Sequence, residues 1–235
     1  MISAFVERWQ PDTNTFHLPF GEMTIMLHDV AYILGLAIEG NEVDMVSDSA
    51  SLQMDFQELL GLSGEQMLLK PRAAWENGGV AVKTVYDRCY LLERTAQVQF
   101  RGYMVALLGS TLFVDKSGHR LLPSLILEVS KDTRSLGTYS WGSATLAFLY
   151  RQLSIASRAD CRAIAGCLTL LQAWIYEYFP AFRPCQGSLI VEAGDARASL
   201  WDPRSESREH HRLLSFCARL DQMTDVEVDG LVKRS

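Results

Sequence analysis

Adjacent histidine and aspartate residues at His28-Asp29 form the pair most typical of a metal site, because imidazole and carboxylate groups both bind divalent cations. A phosphohydrolase site of this kind needs two further ligands from distant positions, and the sequence singles out none. The other adjacent pair, His210-His211, lies on a predicted helix, where neighbouring side chains diverge by about 100° and cannot easily share one ion. We therefore predict no metal site and expect His28 on the exposed side of a short helix.

The segment Asp115-Lys116-Ser117-Gly118 comes nearest to a phosphate-binding loop, but its glycine follows the lysine and no glycine closely precedes it. We interpret it as a turn. The sequence holds neither a G-x-G-x-x-G dinucleotide motif nor a G-x-S-x-G nucleophile elbow, and no lysine lies in a recognisable cofactor setting. These observations predict a protein that is not an enzyme, with no catalytic residue and no cofactor.

A basic region between Lys83 and Arg162 is the remaining chemical feature, with 11 basic and 6 acidic residues. The whole chain has a net charge of -6, which argues against a generally basic nucleic-acid binder. Either the basic region packs beside the acidic residues 1–70 within one fold, or it forms a surface for an acidic partner such as nucleic acid. The candidate partner or nucleic-acid contacts are Arg151, Arg158, Arg162 and Trp141.

Cysteine usage and the apolar segments indicate a soluble intracellular protein. The five cysteines are an odd number without a C-x-x-C pair, and Cys167 and Cys217 have apolar neighbours, as small buried hydrophobes do. The first ten residues lack the apolar run of a signal peptide. The longest apolar stretches, 102–114 and 163–175, are too short to cross a bilayer.

Helices dominate the predicted elements that must position these residues. Apolar periodicity predicts helices over residues 26–34, 52–60, 82–93, 97–108, 121–129, 141–155, 163–179 and 206–223. A short β-hairpin is predicted near residues 16–25 around a Pro-Phe-Gly turn, with minor short strands at 37–43 and 226–228. Residues 185–205 lack periodicity and are predicted to form a long loop. The predicted fold class is mainly α, with a single compact multi-helix domain.

An apolar stripe marks the N-terminus. Ile2, Phe5, Val6 and Trp9 follow the i, i+3, i+4, i+7 spacing of one helical face. A stripe of this kind is stable only when it is buried against its own domain or a partner. We expect it to pack on the helices that follow.

Five blocks of sequence, in order from residue 5 to about 184, together resemble one family. The most specific block is Gly-Thr-Tyr-Ser-Trp-Gly-Ser-Ala at 137–144, continued by Leu149-Tyr150-Arg151. The other blocks lie at residues 5–36, 112–118, 170–174 and 179–184. The chain resembles the plant mobile domain family, also called the aminotransferase-like plant mobile domain, although no lysine here supports an aminotransferase site.

This resemblance implies a function of an unusual kind. Members of the family occur in transposable elements and in host proteins that act in the nucleus. The resemblance implies a non-enzymatic nuclear interaction domain that supports transposon silencing, genome integrity and meristem maintenance with a phosphatase-like partner. It implies no catalytic residue. The alternative is a nucleic-acid-binding domain that uses the basic region 83–162; no membrane partner is expected.

Most of the motif residues have fold-specifying interpretations. Proline and glycine suit tight bends, Ser140 can cap the helix that follows it, and Trp141 is expected to be a large buried anchor. The residues interpreted in this way are Trp9, His17, Pro19, Gly21, Gly35, Ser140, Trp141, Gly142, Tyr150 and Trp174.

The chain also departs from the family pattern. Met26 stands where the family usually has a threonine that caps the next helix, so we expect the cap to come from Thr24 or to be lost. The last residues resemble the family only loosely, and an upstream helix of the family has no counterpart here. We expect residues 1–235 to form one domain of this family, shortened at both ends.

Overall fold

The computed structural model describes residues 1–43, 80–90, 95–116, 120–121, 134–158, 163–184, 196–201 and 212–228. The chain divides into two compact units, one of Met1–Ile38 with Leu146–Ser235 and one of Glu39–Thr145. The helix predicted at 52–60 lies outside the described residues. No helix among the described residues is long and apolar enough to cross a membrane.

The described elements are mainly helical. In chain order, helices α1 to α7 are Ile2–Val6, Leu27–Leu34, Val82–Tyr90, Ala96–Thr111, Trp141–Ala156, Leu168–Tyr178 and Arg212–Asp221. Strands β1 to β5 are Trp9–Gln10, Thr15–Leu18, Gly21–Met23, Val80–Ala81 and Arg120–Leu121. Single 3-10 turns lie at Leu136–Thr138, Pro180–Phe182, Arg197–Leu200 and Asp225–Glu227. The predicted fold class, mainly α with a short hairpin, is confirmed.

The hairpin in the first unit is part of a three-stranded antiparallel sheet. β2 lies between β1 and β3, with Phe16 opposite Trp9 on one side and Met23 on the other. The bend is Pro19-Phe20, and Gly21 follows at φ 138°, a conformation that glycine adopts without steric cost. The sequence analysis missed β1, because two residues are too few to show an alternating pattern.

The predicted apolar stripe at the N-terminus is buried, but it does not lie on one helix. α1 ends at Val6, and Trp9 lies in β1. Phe5 and Trp9 are 0% and 3% exposed, while Ile2 is half-buried. The short helix and the strand therefore cover the same core.

Aromatic side chains form the core of the first unit. The Phe5 ring meets Phe16 edge-on at 5.8 Å and Phe179 at 5.0 Å between centroids. The Trp174 ring of α6 stacks on Phe16 at 5.5 Å and lies 5.1 Å from Tyr178. Such pairs contribute about 0.5–1.5 kcal/mol each beyond the area that they bury. The N-terminal elements and α6 therefore share one apolar centre.

Several predicted boundaries need correction. The helix predicted from residue 163 begins at Leu168, because Gly166 has φ 96° and cannot be part of a helix. Leu121 begins no helix and instead lies in β5, whereas residues 122–129 are outside the described residues. Residues 226–228 form no strand: a 3-10 turn lies there, and Glu227 caps it by accepting a hydrogen bond from the Thr224 N–H at 2.9 Å.

Two other predicted boundaries, both at helices, are confirmed. α2 ends at Gly35, which has the left-handed conformation expected of it (φ 67°). α5 lies within one residue of the predicted range. Of the predicted loop at 185–205, the described part is residues 196–201, which contain one 3-10 turn and the buried Trp201.

Close helix packing characterises the second unit, where α3 and α4 lie against each other. At Gly102 of α4, an added Cβ atom would lie 2.3 Å from the Cβ of Cys89 on α3. Elsewhere in this unit β4 pairs with β5 in an antiparallel register, and Asn41 makes a parallel bridge to Tyr139. This bridge takes the place of the strand predicted at 37–43.

Candidate functional site

Two of the candidate arginines lie near the C-terminal end of α5 in the first unit. Arg151 is on α5 and Arg158 follows the end of that helix, and both side chains are exposed. Within the part of the chain that the structure describes, neither guanidinium makes an ion pair. Arg162 lies outside the described residues.

Trp141 belongs to the second unit and is half-buried, so the expected full burial is wrong. Its indole N–H donates a hydrogen bond to the Leu136 carbonyl oxygen at 2.8 Å. Its ring lies 6.4 Å from Phe113 and 5.9 Å from Tyr139. The ring therefore holds the Leu136–Thr138 turn, while its outer part stays accessible.

The motif residues Trp9 and Tyr150 join the N-terminal segments to α5. The Trp9 indole N–H donates to the hydroxyl of Ser154 at 3.0 Å. The Tyr150 hydroxyl donates to the Ile25 carbonyl oxygen and lies 2.8 Å from the hydroxyl of Thr24. Burial raises the pKa of Tyr150, so the phenol remains a neutral donor. These contacts connect α5 to the N-terminal segments of the first unit.

At the start of α2 the side-chain cap is lost, which is one of the two expected outcomes, and Asp29 makes a different bond there. Asp29, in the first turn, accepts a hydrogen bond from the Met26 N–H at its Oδ2, at 2.8 Å. Thr24, the expected source, donates instead to the Asn14 carbonyl oxygen at 2.6 Å. A carboxylate in the first helical turn also interacts favourably with the helix dipole. Asp29 thus satisfies the N–H of the residue that precedes the helix, while the bond that a threonine side chain would make from position 26 is lost.

Asp29 is the more deeply buried of the two carboxylates in a polar cluster of the first unit. Its side chain is 1% exposed, and its Oδ1 accepts a hydrogen bond from the Tyr178 hydroxyl at 2.6 Å. The His28 Nε2 lies 3.4 Å from the same oxygen, with the imidazole exposed as predicted. Burial, and then the neighbouring Asp29, raises the pKa of Tyr178, so its phenol stays protonated.

Glu177, the second carboxylate, is 6% exposed and holds the described part of the predicted loop. Its Oε1 accepts hydrogen bonds from the Arg197 Nε–H at 2.8 Å and from the Trp201 indole N–H at 3.0 Å. A buried carboxylate is stable only when it is paired and hydrogen-bonded, and these two donors meet that condition.

A second arginine completes this cluster. Arg183 donates from Nε to the Tyr176 carbonyl oxygen at 2.6 Å and from Nη2 to the Glu177 carbonyl oxygen at 2.8 Å, which satisfies the last carbonyls of α6. Its guanidinium carbon lies 5.7 Å from the centre of the Trp201 ring. The C-terminal end of α6 therefore presents charge and aromatic surface together.

The described residues contain no group of three or more His, Cys, Asp and Glu side chains that could hold a metal ion. Both buried carboxylates instead accept hydrogen bonds from aromatic, arginine or backbone donors of the fold. This arrangement can bind guanidinium and indole groups.

Sequence analysis missed Asp29, Tyr178, Glu177, Arg197 and Trp201 as a group. One signal was available: Glu177 is the sole charged residue of α6, whose other members are apolar or neutral. A lone carboxylate on an almost wholly apolar helix indicates a buried, paired charge. Its partners were not predictable, because Arg197 and Trp201 belong to a segment without periodicity.

The other motif residues have structural roles. His17 on β2 lies with its Nε2 3.2 Å from the Glu22 Oε1 on β3. Ser140 is buried, and its hydroxyl donates to the Asn41 carbonyl oxygen at 3.0 Å. Gly142 is buried in the first turn of α5. These contacts fix turns and helix ends.

Comparison with known proteins supplies the family. The model of a family described as Plant mobile domain matches residues 1–229. Protein MAINTENANCE OF MERISTEMS of Arabidopsis thaliana is 35% identical over 228 residues, which are 95% of this chain and 45% of that protein. Protein MAIN-LIKE 2 of the same plant is 36% identical over 190 residues, 78% of this chain and 27% of that protein.

A third relative carries an enzyme name. Serine/threonine-protein phosphatase 7 long form homolog of Arabidopsis thaliana is 35% identical over 193 residues, 78% of this chain and 14% of that protein. The chain thus spans less than half the length of these curated relatives. No solved structure matches it. The family resemblance predicted from the motif blocks is confirmed, and the chain belongs to the plant mobile domain family.

Proposed function

We propose that the chain is a non-enzymatic interaction domain that acts in the nucleus, in transposon silencing, genome integrity and meristem maintenance, with a phosphatase-like partner. The observation that carries the proposal is the use of the buried polar groups. Asp29 and Glu177, the two buried carboxylates described, both accept hydrogen bonds from donors of the fold. Carboxylates that are hydrogen-bonded within the fold hold helices and turns in position, and in this way they shape the exposed surface.

The names of the relatives support the biological part of the proposal. One relative is named for the maintenance of meristems, and another is named as a phosphatase homologue. The matched region is only 14% of the latter, so the phosphatase name refers to a much longer protein. The domain occurs in a relative that is named as a phosphatase homologue and in relatives that are not. Such a domain is well suited to bringing a phosphatase-like protein to a shared site of action.

Co-purification from plant nuclei tests this function. A tagged chain is expressed in plants, and the proteins that it retains from nuclease-treated nuclear extract are measured against a tagged control protein of equal size. Enrichment of a phosphatase-like or chromatin protein is the expected result. Exclusion of the chain from nuclei, together with no enriched partner of either kind, would contradict the proposal.

A second function, nucleic-acid binding, is favoured by Arg151 and Arg158. Both side chains are exposed near the end of α5, without an ion pair inside the described part of the chain. Exposed arginines can contact phosphates, and such contacts position a nucleic acid without recognising its sequence. The overall charge of -6 opposes such binding, so the contact would depend on this local surface.

A salt series decides between the two functions. Binding to a labelled duplex is measured from low to physiological salt, for the unaltered chain and for the variant with Arg151→Ala and Arg158→Ala. If the arginines contact phosphates, the variant binds more weakly and the slope of log K against log salt decreases by about 2. Absence of binding at low salt, or an identical slope for both proteins, would remove this second function.

A further inference from the structure

The segment 196–201, which we call the strap, is held by one oxygen atom. The Glu177 Oε1 on α6 accepts both the Arg197 Nε–H at 2.8 Å and the Trp201 indole N–H at 3.0 Å. These two donors lie four residues apart, at the two ends of the Arg197–Leu200 turn. A single buried carboxylate therefore binds both a guanidinium and an indole group.

Aromatic and cationic side chains complete the surface against which the strap packs. The Trp201 ring is 5.5 Å from the ring of Tyr176 and has the Arg183 guanidinium over its face. At the other end, the Arg197 guanidinium lies 5.9 Å from the ring centre of Tyr32 on α2. Each anchor of the strap thus has a charged or hydrogen-bonding contact together with an aromatic one.

The strap is attached as a bound peptide would be. Its described backbone hydrogen bonds are internal, from the Ser199 N–H to Ala196 at 2.9 Å and from the Trp201 N–H to Ala198 at 3.3 Å. Its side-chain hydrogen bonds to α6 come from Arg197 and Trp201, which are of the types that carry most of the energy at protein interfaces. A segment with this attachment can be replaced by another segment that carries the same anchors.

We propose that the surface formed by Tyr32, Tyr176, Glu177 and Arg183 is a peptide-binding site for a partner segment with the pattern Arg-x-x-x-Trp, and that the strap occupies this site in cis. The buried carboxylate selects a guanidinium, and the aromatic wall selects an indole. The inference rests on the proposed function only in treating the chain as an interaction domain, and it names the chemistry of the partner.

The test supplies the strap in trans. A fluorescent peptide of residues 194–203 is titrated into the chain carrying Arg197→Ala and Trp201→Ala. The peptide should bind saturably to this variant and at least about tenfold more weakly to the unaltered chain, because a tethered segment competes at a millimolar effective concentration. A peptide with both anchors changed to alanine is the matched control and should not bind.

Two results would overturn the inference: no binding to a variant that keeps a cooperative melt, or equal binding of the control peptide. If the variant fails to fold, excess peptide is added to the unaltered chain instead. There it must speed hydrogen exchange at the Ser199 and Trp201 amides without changing exchange in α6, and unchanged exchange at those two amides overturns the inference. Neither result affects the recovery of partners from nuclei, so failure of this inference can be distinguished from failure of the proposed function.

Discussion

The Tyr178 hydroxyl donates a hydrogen bond to the Asp29 carboxylate at 2.6 Å, across 149 positions of sequence. This bond joins the end of α6 to the start of α2, and the same carboxylate also binds the Met26 N–H. One buried side chain therefore both begins a helix and fastens it to the central helix of the unit. Loss of either bond leaves part of a buried charge unsatisfied, which makes the pair a sensitive point of the fold.

Replacement of Tyr178 by phenylalanine should destabilise the first unit. The change removes one hydrogen bond to a buried charged group, and such bonds contribute about 1.5–3 kcal/mol to the free energy of unfolding. Tyr103→Phe is the matched control, since Tyr103 is 52% exposed, and it should shift the free energy by less than about 0.5 kcal/mol. Equal effects of the two changes in denaturant unfolding would show that the Asp29 bond is not stabilising.

Phe5 should be one of the most sensitive core positions. Its ring is fully buried and meets four aromatic rings, those of Phe16, Trp174, Phe179 and Phe182. Phe5→Ala should cost about 3–5 kcal/mol of stability, because a large cavity remains. The same change at Phe100, which is 44% exposed, should cost much less. Comparable losses of melting temperature would contradict the packing of α1 into the core.

Sequence patterns predicted the features that depend on local rules. The end of α2 at Gly35 follows from the need for a left-handed residue there, and the hairpin follows from its proline and glycine. Apolar periodicity predicted α5 to within one residue and predicted α6 with a start at residue 163 instead of Leu168. The stripe from Ile2 to Trp9 was predicted to be buried on one helix. The structure divides it between α1 and β1, since burial and helical period are separate properties.

The polar clusters could not be predicted, because they depend on contacts between distant segments. Asp29 was considered for metal chemistry through its neighbour His28, whereas its partners Tyr178 and Met26 make it structural. Trp201 lies in a segment without periodicity, where no pattern indicates that the indole is buried. The part of the candidate site that was predicted, Arg151 and Arg158, is exposed and remains a proposal.

Gly102 should be intolerant of any side chain. A Cβ atom there would lie 2.3 Å from the Cβ and 3.0 Å from the Sγ of Cys89, so α3 and α4 would have to separate. Gly102→Ala should therefore destabilise the second unit by about 1–3 kcal/mol, although alanine favours helices elsewhere. Gly137→Ala is the control, because no atom lies within 4 Å of the added Cβ. A more stable Gly102→Ala protein would disprove this close packing.

The stability of the first unit should fall at alkaline pH through Cys167. Burial raises the pKa of this thiol from 9.0 to about 11. Between these two values the unfolded chain loses the proton while the folded chain keeps it, so the free energy of unfolding decreases as pH rises and is unaffected below about pH 9. One proton contributes about 1.4 kcal/mol per pH unit, which gives a loss of about 2–3 kcal/mol by pH 11.

Urea unfolding under reducing conditions measures this loss. The free energy of unfolding should decrease from pH 9 to 11 in both proteins, and the decrease should be smaller by this amount in Cys167→Ala, whatever the stability of that variant at pH 8. Parallel pH profiles for the two proteins would mean that the thiol ionises as readily in the folded chain as in the unfolded one.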